Sequence, residues 1–391
     1  MKKIILMVSM AAFALVSCNK DFVVEENHGS KIEFRTAVDT RATEITLDDV
    51  AEFNVVALYE DYTEYFTDTF KRSNGYVYES DTDHLWPADD ELTFFAYYPS
   101  AKDLDVAESI KFDANQRGFK GYTPNSNIGL QKDFIAAVAV AKKEDSAAGV
   151  ALEFKHQLSQ IEIKAKNTNE GYTVKIMGAK IMNVAGSGDF DFTAAVKNWT
   201  PSDDVTASYN IEWGSEVVLG KEPVSLMGDN GNAMLIPQTR IAWGPAVAPE
   251  QTPEQTNEAV DGDGDGDGAE AGGEVEETPE ETPETPVTDP TGSYITFLIQ
   301  VNSPSGSRIF PYEAEAGYAW VVCPIAFDWA AGYKYTYVCD FANGLGVLPE
   351  TGEEILGGKI EISENFSGWS SNEWNSIDME TANPAEDESN E

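Results

Sequence analysis

Residues 31–38 read Lys-Ile-Glu-Phe-Arg-Thr-Ala-Val, a stretch that predicts a β-strand because every second side chain can face an apolar core. The side chains on that face are Ile32, Phe34, Thr36 and Val38. Asp39-Thr40-Arg41-Ala42 follows directly, so a basic residue stands just after the strand. Cleavage there would remove the strand from its sheet and leave a groove of unpaired backbone groups, which can accept a strand from another molecule. The stretch therefore predicts a β-sheet protein with a detachable first strand.

The N-terminal residues have the pattern of a secretory signal. Lys2 and Lys3 precede an apolar run over residues 4–16, which is too short to span a bilayer and is typical of a signal peptide. Residues 15–18, Leu-Val-Ser-Cys, close it in the form of a bacterial lipoprotein signal, with Cys18 as the lipidated residue. An ordinary signal peptide followed by a coincidental cysteine is the alternative. Residues 19–30 are polar and acidic and are predicted to be a tether.

Length and charge limit the number of domains and the kinds of partner. The chain has 391 residues, and the part after the signal suits two domains, each able to bury its own core. Polar and small residues over 142–149 place the predicted boundary, giving an N-terminal domain over 31–147 and a C-terminal domain over 148–369. The formal net charge of -42 excludes nucleic acid as a partner, because its phosphates would be repelled.

Short apolar runs broken by Gly, Asn, Asp and Pro recur along both predicted domains and are typical of an antiparallel β-sandwich. Residues 133–141 fit a strand or a short helix, and a strand is favoured. Residues 150–163 are predicted to form one long strand with a bulge. The other predicted strands are 53–59, 76–79, 92–98, 172–184, 189–193, 233–237, 294–301, 319–325, 333–341 and 359–366. The predicted fold class is all-β.

Two acidic segments lack this pattern. Residues 248–290 carry fifteen acidic residues and no basic or aromatic one, so this segment cannot bury enough apolar surface and is predicted to be a disordered insert. Within it, residues 263–274 fit the calcium pattern D-x-D-x-D-G-x5-E, but flanking helices are absent and an Asp-Gly run matches by composition. Residues 370–391 hold seven acidic residues and no basic one and are predicted to be a disordered acidic tail.

The residue types that often carry chemistry are interpreted as structural. His156 lies on the apolar face of its predicted strand and is expected to be a core histidine, because no second His or Cys stands at metal-binding spacing. Trp199, Trp213 and Trp243 stand singly, which favours core positions over a sugar-binding platform. The sequence has no Gly-x-Ser-x-Gly elbow, no His-Glu-x-x-His and no phosphate loop. We therefore expect no enzyme activity, catalytic residue, cofactor or metal.

Cys323 and Cys339 are predicted to lie opposite each other. Residues 319–325 and 333–341 read as the two strands of a hairpin around 328–332, and if the hairpin is centred near Ala331 the two cysteines are equally distant from its centre. In an oxidising compartment such a pair can form a cross-strand disulfide. Two buried free thiols are the alternative, and the sequence leaves both open.

Taken together, these features resemble the fimbrillin-like family of Bacteroidales, whose members are made as lipoprotein precursors and form type V pili. Each matching stretch is short, and the ordered set covers nearly the whole mature chain. The stretches are the lipoprotein signal ending at Cys18 and residues 31–43, 92–99, 154–159, 234–238, 320–325 and 329–337. The resemblance implies two transthyretin-like antiparallel β-sandwich domains, with the insert at 248–290 in the second.

The resemblance also implies a location and a way of assembly. It implies a lipid on Cys18 that holds the protein in the cell outer membrane, and cleavage after Arg41 that leaves Ala42 as the new N-terminus. Assembly with other pilus subunits would then proceed by donor-strand exchange, because a neighbour's strand fills the emptied groove. An adhesive fimbrium would also bind a ligand on a host or bacterial surface.

The tail departs from the family's pattern, because residues 370–391 lack the alternating apolar side chains that a donated strand needs. This favours a tip or accessory subunit over a stalk subunit, and an anchor that is never cut is a further alternative. Exchange of the last strand near Ile360 and Ile362 is left open. From another functional class, the alternative is a monomeric surface lipoprotein that binds glycan, and a hydrolase is the least favoured.

Overall fold

The structure is a computed structural model that describes residues 31–38, 50–244, 292–368 and 375–377 apart from short gaps. The gaps are residues 76, 89–90, 195–196, 205, 212–213, 229–230, 314–316 and 358. The described residues form strands and two short 3-10 turns, Ile128–Leu130 and Lys143–Asp145, and no α-helix. Within these ranges, no helix is long and apolar enough to cross a membrane. The predicted all-β fold is confirmed.

Strands follow one another along the whole described chain. The first nine are β1 Phe34–Val38, β2 Glu52–Leu58, β3 Glu64–Asn74, β4 Val77–Ser80, β5 Leu92–Tyr98, β6 Lys111–Phe112, β7 Arg117–Tyr122, β8 Ile135–Ala141 and β9 Val150–His156. The next are β10 Ser159–Lys166, β11 Thr173–Val184, β12 Gly188–Asp191, β13 Trp199–Pro201, β14 Ala207–Ile211, β15 Val217–Val218, β16 Val224–Ser225 and β17 Ala233–Leu235. The last are β18 Thr239–Arg240, β19 Tyr294–Asn302, β20 Arg308–Phe310, β21 Ala319–Pro324, β22 Phe327–Asp328, β23 Tyr333–Asp340, β24 Glu361–Gly368 and β25 Asn375–Ile377.

Seven of the first nine strands close into a barrel in the order β1-β4-β3-β2-β5-β8-β9, with β9 beside β1 again. Neighbours in the barrel are antiparallel except β1 and β9. These two run parallel, with Phe34 opposite Val150 and Val38 opposite Phe154. The inner side chains form one largely aromatic core that includes Phe34, Phe53, Phe66, Phe70, Tyr78, Trp86, Phe94 and Phe154.

The chain after β9 builds a sandwich of two facing sheets. One sheet has the order β16-β10-β23-β24-β25, with β17 also paired to β10, and the other has the order β14-β11-β19-β20, with β15 on β11 and β21 on β19. The pair β10 and β23 is parallel. Ile161 and Ile163 from the first sheet and Ile295 and Phe297 from the second are fully buried in the same core. The predicted sandwich architecture is confirmed in this unit.

A further four-stranded sheet, β13-β12-β7-β6, covers the outside of the barrel. Its Phe119, Phe190 and Trp199 share an apolar cluster with Val56 and Phe95, which β2 and β5 direct away from the barrel interior. Two of these strands precede β9 in the chain and two follow β11, so the layer is built from both halves of the sequence. A short separate pair, β18 with β22, lies between β17 and β23 in sequence.

The prediction of one long strand over residues 150–163 is wrong. The chain forms β9 up to His156 and β10 from Ser159, and the two strands belong to different sheets. Leu158 is buried between them, so the apolar alternation continues across the break and does not show the change of sheet. Because β9 closes the barrel against β1, residues 142–149 connect two strands of the barrel instead of separating two units.

The predicted hairpin of residues 319–325 and 333–341 is also wrong. β21 pairs with β19, whereas β23 pairs with β10 and β24, so the two runs lie in opposite sheets of the sandwich. Between them, β22 pairs with β18. Cys323 and Cys339 nevertheless lie against each other as free thiols, because the two sheets face each other across the core.

Both thiols are expected to resist alkylation in the native protein. Cys323 and Cys339 are 1 % and 0 % exposed. The hydrogen bond with Cys339 and burial raise the pKa of the Cys323 thiol well above its usual value, which suppresses the reactive thiolate. Mass spectrometry after treatment with iodoacetamide should find both cysteines modified in denaturant and neither in buffer. Modification that requires a reductant as well as denaturant would instead show that the protein recovered from cells carries the disulfide.

Candidate functional site

Backbone hydrogen bonds just before the first strand fix it to the loop at His84 and to the start of β9. The Ile32 N–H donates to the His84 carbonyl at 2.7 Å. The Glu33 carbonyl accepts from the Val150 N–H at 2.8 Å. The apolar face of this stretch points inward, as predicted, because Ile32 just before β1 and Phe34 at its start are 3 % and 0 % exposed. The sequence pattern of residues 31–38 is therefore sufficient to orient β1.

Phe34 is the central side chain of the barrel core. Its ring meets those of Phe70, Phe94 and Phe53 edge-on, with centroid distances of 4.6, 5.1 and 6.2 Å. Edge-to-face pairs at these distances add to the stabilisation that comes from burying the rings. Removing β1 would therefore leave a cavity in the middle of an aromatic cluster.

Thr36, the next inward residue of β1, fits the barrel core less well than Phe34. The residue is 6 % exposed, and its Oγ1 is buried without a hydrogen-bond partner. A buried hydroxyl that makes no hydrogen bond costs about 1–3 kcal/mol, because it has lost its contact with water. Phe34 therefore stabilises the packing of β1 in the barrel, whereas Thr36 destabilises it.

β1 joins two margins of the barrel that no other strand in the described ranges connects. On one side it pairs with β9 over five residues, and on the other it pairs with β4 at two positions. Without β1, the backbone of Val150–Phe154 and the facing margin of β4 would lose their partners. Such edges pair readily with a strand of another chain.

Several of the predicted site residues lie outside the described residues. These are Cys18 and the tether 19–30, Arg41 and Ala42, the insert 248–290 with its calcium pattern, and most of the tail 370–391. Within the tail, Asn375–Ile377 forms β25 and pairs antiparallel with β24, which the prediction of a disordered tail did not include.

His156 is a core residue with a buried partner, as predicted. Its Nδ1 lies 2.6 Å from the Asp133 carboxylate, and the two side chains are 6 % and 4 % exposed. The other oxygen of Asp133 accepts from the Phe134 N–H at 2.8 Å. The sequence did not reveal Asp133, because it lies 23 residues from the histidine. No part of the described chain gathers three or more His, Cys, Asp or Glu side chains for a metal ion.

Two of the three tryptophans singled out from the sequence fill cores. Trp199 and Trp243 are 4 % and 6 % exposed, and Trp199 Nε1 donates to the Gln157 carbonyl at 2.6 Å. The prediction of core positions is confirmed for these two, and Trp213 lies outside the described residues. Neither described ring presents an open face on which a sugar could stack.

A cleft of about 960 Å³ opens at the end of β9 and extends to the second unit. Its polar lining includes three cations, Lys155, Lys197 and Arg240, and three carboxylates, Glu153, Asp203 and Asp328. The cleft is formed by residues 153–157, Ala185, residues 197–203, 237–240 and 328–333, and Gly368. It could not be predicted from the sequence, because these segments are distant along the chain, although three of them overlap stretches that carry the family resemblance.

The last long strand is tied to the sandwich by a chain of hydrogen bonds that is buried at Trp329 and partly buried at Glu364. β24 pairs with β23 along its whole length, and Ile362 and Phe366 pack against the sandwich core. Between them, Glu364 Oε1 accepts from the Tyr337 hydroxyl at 3.1 Å, and that hydroxyl accepts from Trp329 Nε1 at 2.9 Å. Burial raises the pKa of the Glu364 carboxyl above its usual value of 4.5, against the opposing effect of the Tyr337 hydrogen bond.

Replacing Glu364 with Gln is expected to stabilise the protein at neutral pH and not in acid. Because the folded pKa is raised, the carboxyl is favourable in its protonated form below pH 4.5, and this contribution is lost as the pH rises through the folded pKa. Gln stays neutral and keeps an acceptor for the Tyr337 hydroxyl. Thermal midpoints of both proteins between pH 4 and pH 7.5 should therefore diverge as the pH rises. A constant difference would contradict the role of the charge.

Comparison with known proteins identifies one family. The sequence matches the family described as fimbrillin-like over residues 40–363. No curated protein matches the chain.

The solved structures that the comparison matches are distant in sequence. The fimbrial anchor protein Mfa2 from Porphyromonas gingivalis is 12 % identical, with a TM-score of 0.35 over 87 % of this chain and 97 % of that one. A fimbrial assembly protein from Parabacteroides distasonis is 10 % identical, with a TM-score of 0.38 over 89 % and 99 %. A structure described as a cell adhesion protein of the same species is 10 % identical, with a TM-score of 0.46 over 87 % and 97 %.

Proposed function

Because this chain belongs to the fimbrillin-like family, we propose that it is a pilus subunit whose first strand is cut away and replaced by a strand of a neighbouring subunit. The observation that carries the proposal is the position of β1. It alone among the described strands closes the barrel between β4 and β9, and its Phe34 fills the centre of the barrel core. A segment so placed can be exchanged for a similar strand without rearranging the rest of the barrel.

The emptied groove supplies both affinity and selectivity. The free backbone of Val150–Phe154 offers main-chain hydrogen bonds to any extended chain. The vacated positions of Ile32, Phe34 and Thr36 offer pockets that select alternate apolar side chains. Such a complex dissociates slowly, because all of these contacts must be lost together. No cofactor is needed.

Processing and location follow from the residues around β1. Cleavage after Arg41 would free the strand at its C-terminal end and make Ala42 the first residue of the assembled subunit. A lipid on Cys18 would hold the uncut precursor at the outer membrane, with residues 19–30 as the tether. Loss of the segment up to Arg41 would then release the subunit from its own anchor and open its groove in one step.

A tip or accessory position suits this chain better than a stalk position. A stalk subunit must donate a strand as well as accept one, and β24 is paired along its whole length within its own sheet. Its middle inward residue is Glu364. If β24 were donated to another subunit, the Glu364 carboxyl would enter one of the buried positions of the groove. In this chain those positions are filled by Ile32, Phe34 and Thr36, and burying a carboxyl there is costly. An anchor that is never cut is the alternative, and a glycan-binding lipoprotein gains no support from the buried Trp199 and Trp243.

The N-terminus of the protein recovered from cells tests the proposal directly. Intact mass and terminal sequencing of surface fractions should give a species that starts at Ala42. A lipidated Cys18 as the sole N-terminus in every fraction would refute assembly by this route. The chain would then be an anchor or a monomeric lipoprotein.

Replacing Thr36 with Val is expected to stabilise the uncut precursor by about 1 kcal/mol, because the substitution keeps the shape and removes the unpaired buried hydroxyl. The same change should slow the exchange of β1 for a competing strand after cleavage. Urea denaturation and the rate of strand release measure the two effects. Thr36→Ser keeps the hydroxyl and serves as the control. Equal stability and equal rates of strand release for the Thr36→Val variant and the unaltered chain would contradict the argument.

A further inference from the structure

The cleft described above lies at the end of the groove that β1 fills. Val38, the last residue of β1, stands opposite Phe154, which lines the cleft together with Lys155 and His156. β1 pairs with β9 no further than Phe154, and β9 then pairs with β8 on its other side. A strand in the place of β1 that continues beyond the position of Val38 would therefore enter the cleft.

One wall of the cleft holds a buried donor that lacks an acceptor. Arg240 lies on β18 opposite Phe327, and its Nε is buried without a hydrogen-bond partner. Buried polar groups in folded proteins are nearly always paired, and an unpaired one calls for an explanation. An oxygen atom supplied from outside the chain would complete this site.

Two further cations line the same cleft. Lys155 and Lys197 are exposed, and neither they nor Arg240 forms an ion pair with any residue that the structure describes. Three carboxylates also line the cleft, and one of them, Asp328, accepts from the Thr239 hydroxyl at 2.7 Å. The lining is thus balanced in charge, whereas the whole chain carries -42. An acidic segment is repelled less here and meets cations that form no ion pair within the described ranges.

The chemistry of the cleft favours a peptide over a glycan. Trp199 and Trp329 line it, but they are 4 % and 3 % exposed, and the Nε1 of each already donates within the protein. A sugar would find no open indole face for stacking. By contrast, the cleft is continuous with the groove of β1, so a polypeptide bound in the groove reaches it.

We infer that the cleft binds the acidic segment that flanks the inserted strand of the neighbouring subunit. A carboxylate or main-chain carbonyl of that segment accepts from Arg240, and Lys155 and Lys197 attract its side chains. The inference rests on the proposed function and deepens it, because it requires the neighbouring subunit to supply an acidic flank as well as a strand. The groove selects the apolar alternation, and the cleft selects the charge of the flank.

The test uses the full chain cut after Arg41, so that β1 remains bound by non-covalent contacts and can be displaced. The probes are fluorescent peptides of residues 31–38 that carry either a run of Glu or a run of Gln after Val38. A third peptide carries the Glu run before Lys31, at the other end of the groove. The Glu run after Val38 should strengthen binding about tenfold over the Gln run in low salt and much less in high salt. The Glu run before Lys31 should have little effect.

Charge variants of the cleft separate the outcomes. Lys155→Gln and Lys197→Gln together should abolish the preference for Glu, and Arg240→Gln should weaken it, whereas Lys143→Gln, an exposed change before β9, should leave it intact. Equal affinity of the Glu and Gln peptides for the unaltered chain would overturn the inference and leave the proposed function standing. Failure of every peptide to displace β1 would overturn both. Binding of oligogalacturonate that depends on Lys155 and Lys197 would assign the cleft to an acidic glycan instead.

Discussion

Replacing Phe34 with Ala should lower the free energy of unfolding of the barrel by about 3–5 kcal/mol, the usual cost of truncating a fully buried phenylalanine. Phe34 is 0 % exposed and contacts three other phenylalanine rings, so the cavity cannot be filled by a small movement of one neighbour. Urea denaturation, combined with hydrogen exchange of the backbone of β9, would measure the loss and show where it falls. Protection of β9 should decrease most, because β9 is the main partner of β1.

A neighbouring substitution provides the control for this experiment. Arg35 lies on the same strand with its side chain exposed, so Arg35→Ala should change the stability by less than 1 kcal/mol. Phe34→Leu should fall between the two, because it keeps part of the buried apolar volume. Equal stability of the Phe34→Ala variant and the unaltered chain would show that β1 is not an integral part of the barrel, and the proposed groove would lose its basis.

The second large effect is expected at the buried pair of His156 and Asp133. Asp133→Ala removes the acceptor of the His156 ring at 2.6 Å and that of the Phe134 N–H at 2.8 Å. Because both side chains are almost fully buried, water cannot replace the lost carboxylate, and we expect a cost of about 3 kcal/mol. Chemical denaturation would measure this cost. Hydrogen exchange should show the loosening at the start of β8, where Ile135 pairs with His156.

An exposed carboxylate elsewhere in the chain gives the matched comparison. Asp103 pairs with Lys132 at 3.0 Å, with half of each side chain exposed, so Asp103→Ala should cost less than 1 kcal/mol. If the two alanine variants were equally stable, burial would not be the source of the effect. The His156 pair would then have no structural role.

Local alternation in the sequence was sufficient for most strands and for the orientation of their side chains. It places Phe34 and Thr36 inward on β1 and identifies His156 as a core residue, because these properties depend on the nearest neighbours along one strand. The same reasoning missed β3. Its buried side chains are Phe66 and Phe70, four residues apart, with polar and half-buried residues between them, so no strict alternation is visible.

Pairings between distant segments could not be obtained in this way. Nothing in the sequence of β9 shows that the chain leaves the barrel at Gln157, because Leu158 continues the apolar pattern in a different core. For the same reason Cys323 and Cys339 were correctly expected to be near each other but were assigned to the wrong arrangement. The cleft could not be predicted for the same reason, since Lys155, Lys197 and Arg240 come together only through the packing of separate sheets.

The parallel pairing of β1 with β9 joins two strands that are distant in sequence. On the proposed route the chain is exported with its N-terminal end first, so β1 would arrive more than a hundred residues before the strand that it must join. Until β9 follows, Ile32 and Phe34 have no core to enter, and closure of the barrel is a late step in folding. A protease that reached Arg41 earlier would release a peptide from a barrel that had not yet formed. In the proposed assembly, productive cutting after Arg41 therefore has to follow closure of the barrel.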